Sequence, residues 1–148
     1  MPKTIDNDLM VTDHTPGYGS AAKFVATTMK EIVCDTRIYE RESVTIVEIM
    51  GRNAGWLTAA ATLSKSDDCE GVDMLCLPEI PFDTDRFLSK TEKLLQTRKS
   101  IVIAVSEGVK LTNPKSYVVI REGAYLHKGP SDAYETVGSE IPVGTEFD

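Results

Sequence analysis

Apolar residues along this chain follow two rhythms in turn. From Tyr18 to Tyr39 they fall at helical spacing, as Ala21, Ala22, Val25, Met29, Ile32 and Val33. Ser43–Ile49 (SVTIVEI) is β-branched and mostly apolar, and reads as a strand buried on both faces. Met50-Gly51-Arg52-Asn53-Ala54-Gly55 follows at once, then an Ala-rich helix over Trp56–Leu63. The polar loop SKSDDCEG leads to a second apolar strand, Val72–Leu77. Pro78 and Pro81 break the chain, and Asp83 or Thr84 caps a helix running to about Thr97, with Phe87, Leu88, Leu94 and Leu95 apolar. A third strand, Ile101–Val105, ends in Ser106-Glu107-Gly108. Residues 1–16 read as loop. Beyond Leu111 the pattern fades to a strand near Tyr117–Ile120, then loops, a short hairpin or partial disorder.

Apolar strands alternating with amphipathic helices predict an α/β fold, a three-layer Rossmann-like parallel sheet with helices on both faces. Its crossovers are right-handed. Ligands in such sheets lie beyond the carboxyl ends of the strands. That rule selects Met50–Gly55 and Ser106–Gly108. The expected organisation is a lobe over residues 1–110 and a tail over 111–148. If the opening loop also follows a strand, that strand belongs to sequence before Pro2.

The length of 148 residues suits one domain with a real core. A net charge of -7 argues against nonspecific nucleic-acid binding. No apolar run approaches a membrane span, and the start is unlike a signal peptide. Cys34, Cys69 and Cys76 are an odd set without metal-type spacing, which reads as reduced thiols in a cytoplasmic protein, Cys76 in the core. With only His14 and His127, a His-rich metal site is excluded and a Ser-His-Asp triad disfavoured.

Chemistry concentrates in three stretches. In the opening MPKTIDNDLM, an extended backbone puts Thr4, Asp6 and Asp8 on one face and Ile5 and Asn7 on the other. Such a face, with Lys3 beside it, can orient a hydroxyl, accept a proton and approach a metal ion; the plain alternative is a polar turn or helix cap. MGRNAG, between a strand and a helix, offers close backbone approach, helix-start N–H groups and the Arg52 guanidinium to an anion. Its alternative is a tight turn with an exposed arginine. Glu107 ends the third strand, where a carboxylate holds sugar hydroxyls or caps a nearby helix. In TPGYGSAAK, Pro16 and Gly17 shape the turn and Gly19 lets the helix pack closely. His14 reads as a surface turn residue and Trp56 as helix–sheet packing. Met50 is open to either role.

In their order, PKTIDND, the TPGYGSA helix entrance, IVEIMGRNAGWLTA and SEG resemble the phosphofructokinase family over about residues 1–110. The resemblance implies one lobe of a two-domain fold that transfers a phosphoryl group to the 1-hydroxyl of fructose 6-phosphate in glycolysis, with Mg²⁺. It implies that Asp6 is the catalytic base, that Thr4 positions the reacting groups, and that Asp8 lies near the metal. It gives Met50, Gly51 and Arg52 contacts to the sugar phosphate and the transferred phosphoryl, and gives Glu107 the sugar. Symmetric dimers or tetramers are the family's habit, so a homo-oligomer is implied.

Lys3 resembles the pyrophosphate-dependent branch, in which a lysine occupies nucleotide space and contacts phosphate. Pyrophosphate is therefore the expected donor, with ATP kept open because some ATP-using relatives share PKTIDND. Ser43 replaces an arginine that many bacterial ATP enzymes carry at that strand start, which fits the same branch. The family's donor-phosphate loop is not in this sequence, so the expectation is an excerpt inactive by itself. The alternative is a stand-alone sugar-phosphate-binding or interaction module without catalysis.

Overall fold

The computed structural model describes residues 4–111, together with four short strands further on. Residues 1–112 form one compact unit and 113–148 a second. The first unit contains α1 (Tyr18–Thr36), β1 (Ser43–Ile49), α2 (Trp56–Ala60) continued by a 3₁₀ turn (Ala61–Ser64), β2 (Met74–Cys76), α3 (Thr84–Leu95) and β3 (Ser100–Ser106). The strands form one parallel sheet in the order β1-β3-β2, with Val47 opposite Ala104 and Leu75 opposite Ala104 on the other side. No helix among the described residues is long and apolar enough to cross a membrane.

Strand alternation sorts the central residues between two cores. Val102 and Ala104 pack with Ile49, Leu57, Ala61, Met29 and Val33, beneath α1 and α2. Ile101 and Ile103 pack with Met74 and Cys76, beneath Phe87, Leu94 and Leu95 of α3. Helices therefore cover both faces, in the three-layer arrangement the sequence predicts. Of the three strands in this sheet, β3 is the one enclosed along nearly its whole length, as a central strand should be.

The strand β1 departs from that expectation. It lies at the sheet edge, and its burial alternates: Val44, Ile46 and Glu48 are exposed. The apolar run signalled a strand but not its place in the sheet. A groove of about 570 Å³ follows β1, lined by Ile5, Phe24, Val25, Val47, Met50 and Leu57 among others.

Three helix limits also have local causes. The helix α1 stops at Thr36 rather than Tyr39, where the Ile38 N–H turns back to Asp35 O and closes a tight last turn. After Ala60, α2 tightens to 3₁₀ as Thr62 and Ser64 hydroxyls donate to the Ala59 and Ala61 carbonyls. At α3 the Asp83 carboxylate accepts from Arg86 N–H at 3.0 Å, an N-cap. Two packing expectations fail. Trp56 is 54% exposed, and a Cβ at Gly19 would meet nothing, so that glycine serves no close approach.

In the second unit, β4 (Tyr117–Val118) pairs antiparallel with β7 (Glu146–Phe147), and β5 (His127–Lys128) with β6 (Glu135–Thr136). The expectation of loops or partial disorder over the rest of 112–148 lies outside the described residues.

Candidate active site

The opening loop is bent, not extended. Asn7 has φ 60°, the left-handed region that asparagine tolerates better than most residues. The expected alternation of faces therefore breaks at Asn7, which is itself buried. Its side chain clasps the loop: Nδ2 donates to Asp13 O at 3.0 Å, and Oδ1 accepts from Thr15 N–H at 2.8 Å. Thr15 then leads through Gly17, at φ 94°, into α1. The sequence pattern places Asn7 only on the face opposite the carboxylates and gives it no role. An asparagine between two aspartates in a loop was its only signal.

The clasp fixes the residues around it. Thr4 Oγ1 accepts from the Asp6 N–H at 3.1 Å, a small local turn. Asp6 is half-buried, and its Oδ1 is buried without a hydrogen-bond partner among the described residues. Burial raises the Asp6 carboxyl above its usual value, and the Asp8 and Glu107 carboxylates raise it further. Asp6 of the opening loop thus shares its electrostatic surroundings with Glu107 at the end of β3. Asp8 is half-buried beside it. Lys3 lies outside the described residues.

MGRNAG is tied to the end of β3 at two points, and the last residue of β1 just before it at a third. Ser106 Oγ donates to Gly51 O at 2.5 Å, and Gly51 N–H donates to Glu107 Oε1 at 3.3 Å. Glu107 N–H donates to Ile49 O at 3.0 Å. Gly51 has φ 132°, and a Cβ there would fall 2.6 Å from Ala54 O. Glu107 thus holds the turn; it does not cap a helix through any bond described. Arg52 is exposed and has no ion pair among the described residues. Its backbone packs against Gly108. Met50 is half exposed and shares the groove along β1 with Ile5.

One expectation for this turn is corrected. The sequence predicts free N–H groups at the start of α2, open to an anion. Gly55 N–H instead donates to Glu79 Oε1 at 2.7 Å, so a carboxylate of the chain already sits there. Positive charge for a ligand comes from Arg52 rather than from this helix start. His14 is an exposed turn residue, as read, with its ring 6.1 Å from that of Tyr18.

The site gathers residues from three separated stretches. Asp6 and Glu107 are coupled electrostatically, Glu107 and Gly51 by a hydrogen bond, and Arg52 and Gly108 by backbone contact. Carboxylates and an unpaired guanidinium at the carboxyl ends of parallel strands suit a polyhydroxylated, phosphorylated ligand. Among the described residues no group of three or more His, Cys, Asp or Glu is placed to cage a metal.

Known proteins agree in sequence and in shape. The pyrophosphate–fructose 6-phosphate 1-phosphotransferase of Rhodospirillum rubrum is 44% identical over 109 residues, covering 74% of this chain and 26% of that protein. An ATP-dependent 6-phosphofructokinase 2 of Clostridium perfringens is 33% identical over 111 residues, 74% of this chain and 28% of its own. The crystal structure of a pyrophosphate-dependent phosphofructokinase from Nitrosospira multiformis superposes with a TM-score of 0.67 at 40% identity, over 74% of this chain and 28% of that one. This chain therefore spans about a quarter of the length of such relatives. The Phosphofructokinase family matches residues 1–141, further than the motifs alone reach. By that match, and by its parallel sheet, the chain belongs to the phosphofructokinase family.

Proposed function

We propose that residues 1–110 form the sugar-phosphate-binding lobe of a cytoplasmic 6-phosphofructokinase, with residues 111–148 as a tail. Fructose 6-phosphate is the acceptor, pyrophosphate the preferred donor over ATP, and the working form a homo-oligomer. The observation that carries this reading is the half-buried Asp6 carboxyl, raised by burial and by the Asp8 and Glu107 carboxylates, Glu107 being bonded in turn to Gly51 of MGRNAG.

Phosphoryl transfer passes through a loose transition state with charge spread over the equatorial oxygens. The protein then needs positioning and positive charge more than a strong base. Asp6 accepts the proton of the sugar 1-hydroxyl, and Thr4 keeps the Asp6 backbone in place. Glu107 orients the sugar through its hydroxyls. Arg52, with Met50 and Gly51, meets the phosphate and the phosphoryl group in transfer. Lys3 contacts donor phosphate.

A magnesium ion fits this donor set. Mg²⁺ takes one or two carboxylates and completes its shell with water and substrate phosphates, so it needs no protein cage. Asp8 would hold it, with Asp6 close by, and the mutual repulsion of the carboxylates favours a cation there. When bound, it spreads charge from the phosphoryl oxygens.

The test is a chimaera in which residues 1–110 replace the matching segment of the Rhodospirillum rubrum enzyme. It is assayed with fructose 6-phosphate, Mg²⁺ and either pyrophosphate or ATP. Turnover with pyrophosphate is expected; turnover with ATP alone would overturn the donor assignment, and none with either would overturn the acceptor. The 148-residue chain by itself is expected to form no fructose 1,6-bisphosphate. In the chimaera Arg52→Ala is expected to lower kcat/KM about 10- to 100-fold, the loss of one charge-assisted hydrogen bond. Both KM and kcat should change, because the charge meets phosphate in ground and transition states.

A further inference from the structure

One face of α1 is laced to the segment that precedes β2. Lys30 Nζ meets Asp68 Oδ1 at 2.7 Å. One turn on stands Cys34, and the residue next to Asp68 on the facing segment is Cys69. One turn further, Arg37 meets Glu70 at 3.0 Å and donates to Gly71 O at 3.3 Å. Residues 30, 34 and 37 are helical neighbours, so the contacts run in register along the facing segment. Ser66 and Cys69 exchange backbone hydrogen bonds, which holds that segment in place. The thiol pair thus sits between two ion-paired anchors. Its members differ in access: Cys34 is exposed, whereas Cys69 is buried in the core under α1.

We propose that Cys34 and Cys69 are a reversible disulfide-forming site for small disulfides of the glutathione class, Cys34 being the entry thiol and Cys69 the resolving thiol. The Cys34 thiolate attacks one sulfur of oxidised glutathione, forms a mixed disulfide and releases one glutathione thiolate. The Cys69 thiolate then attacks the Cys34 sulfur and expels the second glutathione. The protein loses two protons and two electrons, and one oxidised glutathione becomes two reduced molecules. The product fastens α1 to the segment before β2 between two ion pairs that already join them.

Partial desolvation against the facing segment, and then the nearby Cys69, push the Cys34 thiol up; Asp68 adds to this and Lys30 opposes it. The pair is therefore sluggish near neutrality, and the exchange belongs at about pH 8.5, where more thiolate forms. Treating the 148-residue chain with oxidised glutathione at that pH, followed by peptide mapping, should yield a Cys34–Cys69 linked peptide. The melting temperature should rise by roughly 5–15 °C, since the bond closes a long loop of the unfolded chain. The Cys69→Ser variant should instead retain glutathione on Cys34. A native chain that keeps glutathione on Cys34, that links two chains through Cys34, or that stays fully reduced would overturn the proposal. The native-chain map decides the matter even if Cys69→Ser does not fold.

Discussion

Asp6→Ala in the chimaera is expected to cut turnover by about 10²–10⁴-fold, the usual contribution of a positioned acid or base, with a much smaller change in KM for fructose 6-phosphate. The reason is the setting of the carboxyl. Its Oδ1 is buried and accepts no hydrogen bond among the described residues, so it is not committed to holding the fold. Burial and the nearby Asp8 and Glu107 raise it, which makes it a better proton acceptor than an ordinary aspartate. Near-normal turnover in the variant would remove Asp6 as the base.

The same setting makes Asp6 a burden to the unliganded fold. Its folded value lies above its usual value of 3.8. Below that pH it is protonated in both states and contributes no difference. As pH rises through the interval up to the folded value, the unfolded chain releases the proton first, and stability falls. Asp6→Asn should therefore melt higher than the native chain at neutral pH, and the gap should close below pH 3.8. A variant that combines greater stability with lost turnover separates the catalytic role from a structural one. A structural aspartate would lower the melting temperature on replacement.

The order of elements was legible because the two rhythms were clean. SVTIVEI spans the observed β1, and Asp83 caps α3 as its place before an amphipathic run suggests. What the pattern could not supply was position in the sheet. An edge strand and a central strand can share a composition, and Val44 and Ile46 look buried until their neighbours are known. The site was legible at the level of stretches, since loops after parallel strands converge on one side. Its internal bonds were not. That Glu79 would fill the start of α2 depends on a turn more than twenty residues away in sequence. That Asn7 would bend the opening loop depends on a clasp to Asp13 and Thr15 which no periodicity reveals.

Gly108 shows the same limit from the other side, and its replacement by alanine is expected to be the most damaging change that touches no charged group. In sequence it only follows Glu107. In the structure a Cβ at Gly108 would overlap the carbonyl of Arg52 and fall 2.9 Å from its Cα. These are backbone atoms, and they cannot swing aside as a side chain could. Either the end of β3 or the MGRNAG turn must move. The turn has little freedom, being tied by Ser106 to Gly51 O and by Glu107 to Gly51 N–H, the two residues directly before Gly108. Any shift then drags Arg52, Gly51 and Glu107 together. Overpacking of this kind costs about 1–3 kcal/mol of stability. Displacing catalytic groups by about 1 Å lowers rates some 10²-fold. In the chimaera Gly108→Ala is thus expected to lower kcat/KM by about 10² or more while the protein still folds. Arg52→Ala, by contrast, removes charge without moving the backbone and should leave the melting temperature nearly unchanged. A Gly108→Ala chimaera with native melting and native kinetics would mean that Arg52 and Gly108 do not touch in the working enzyme.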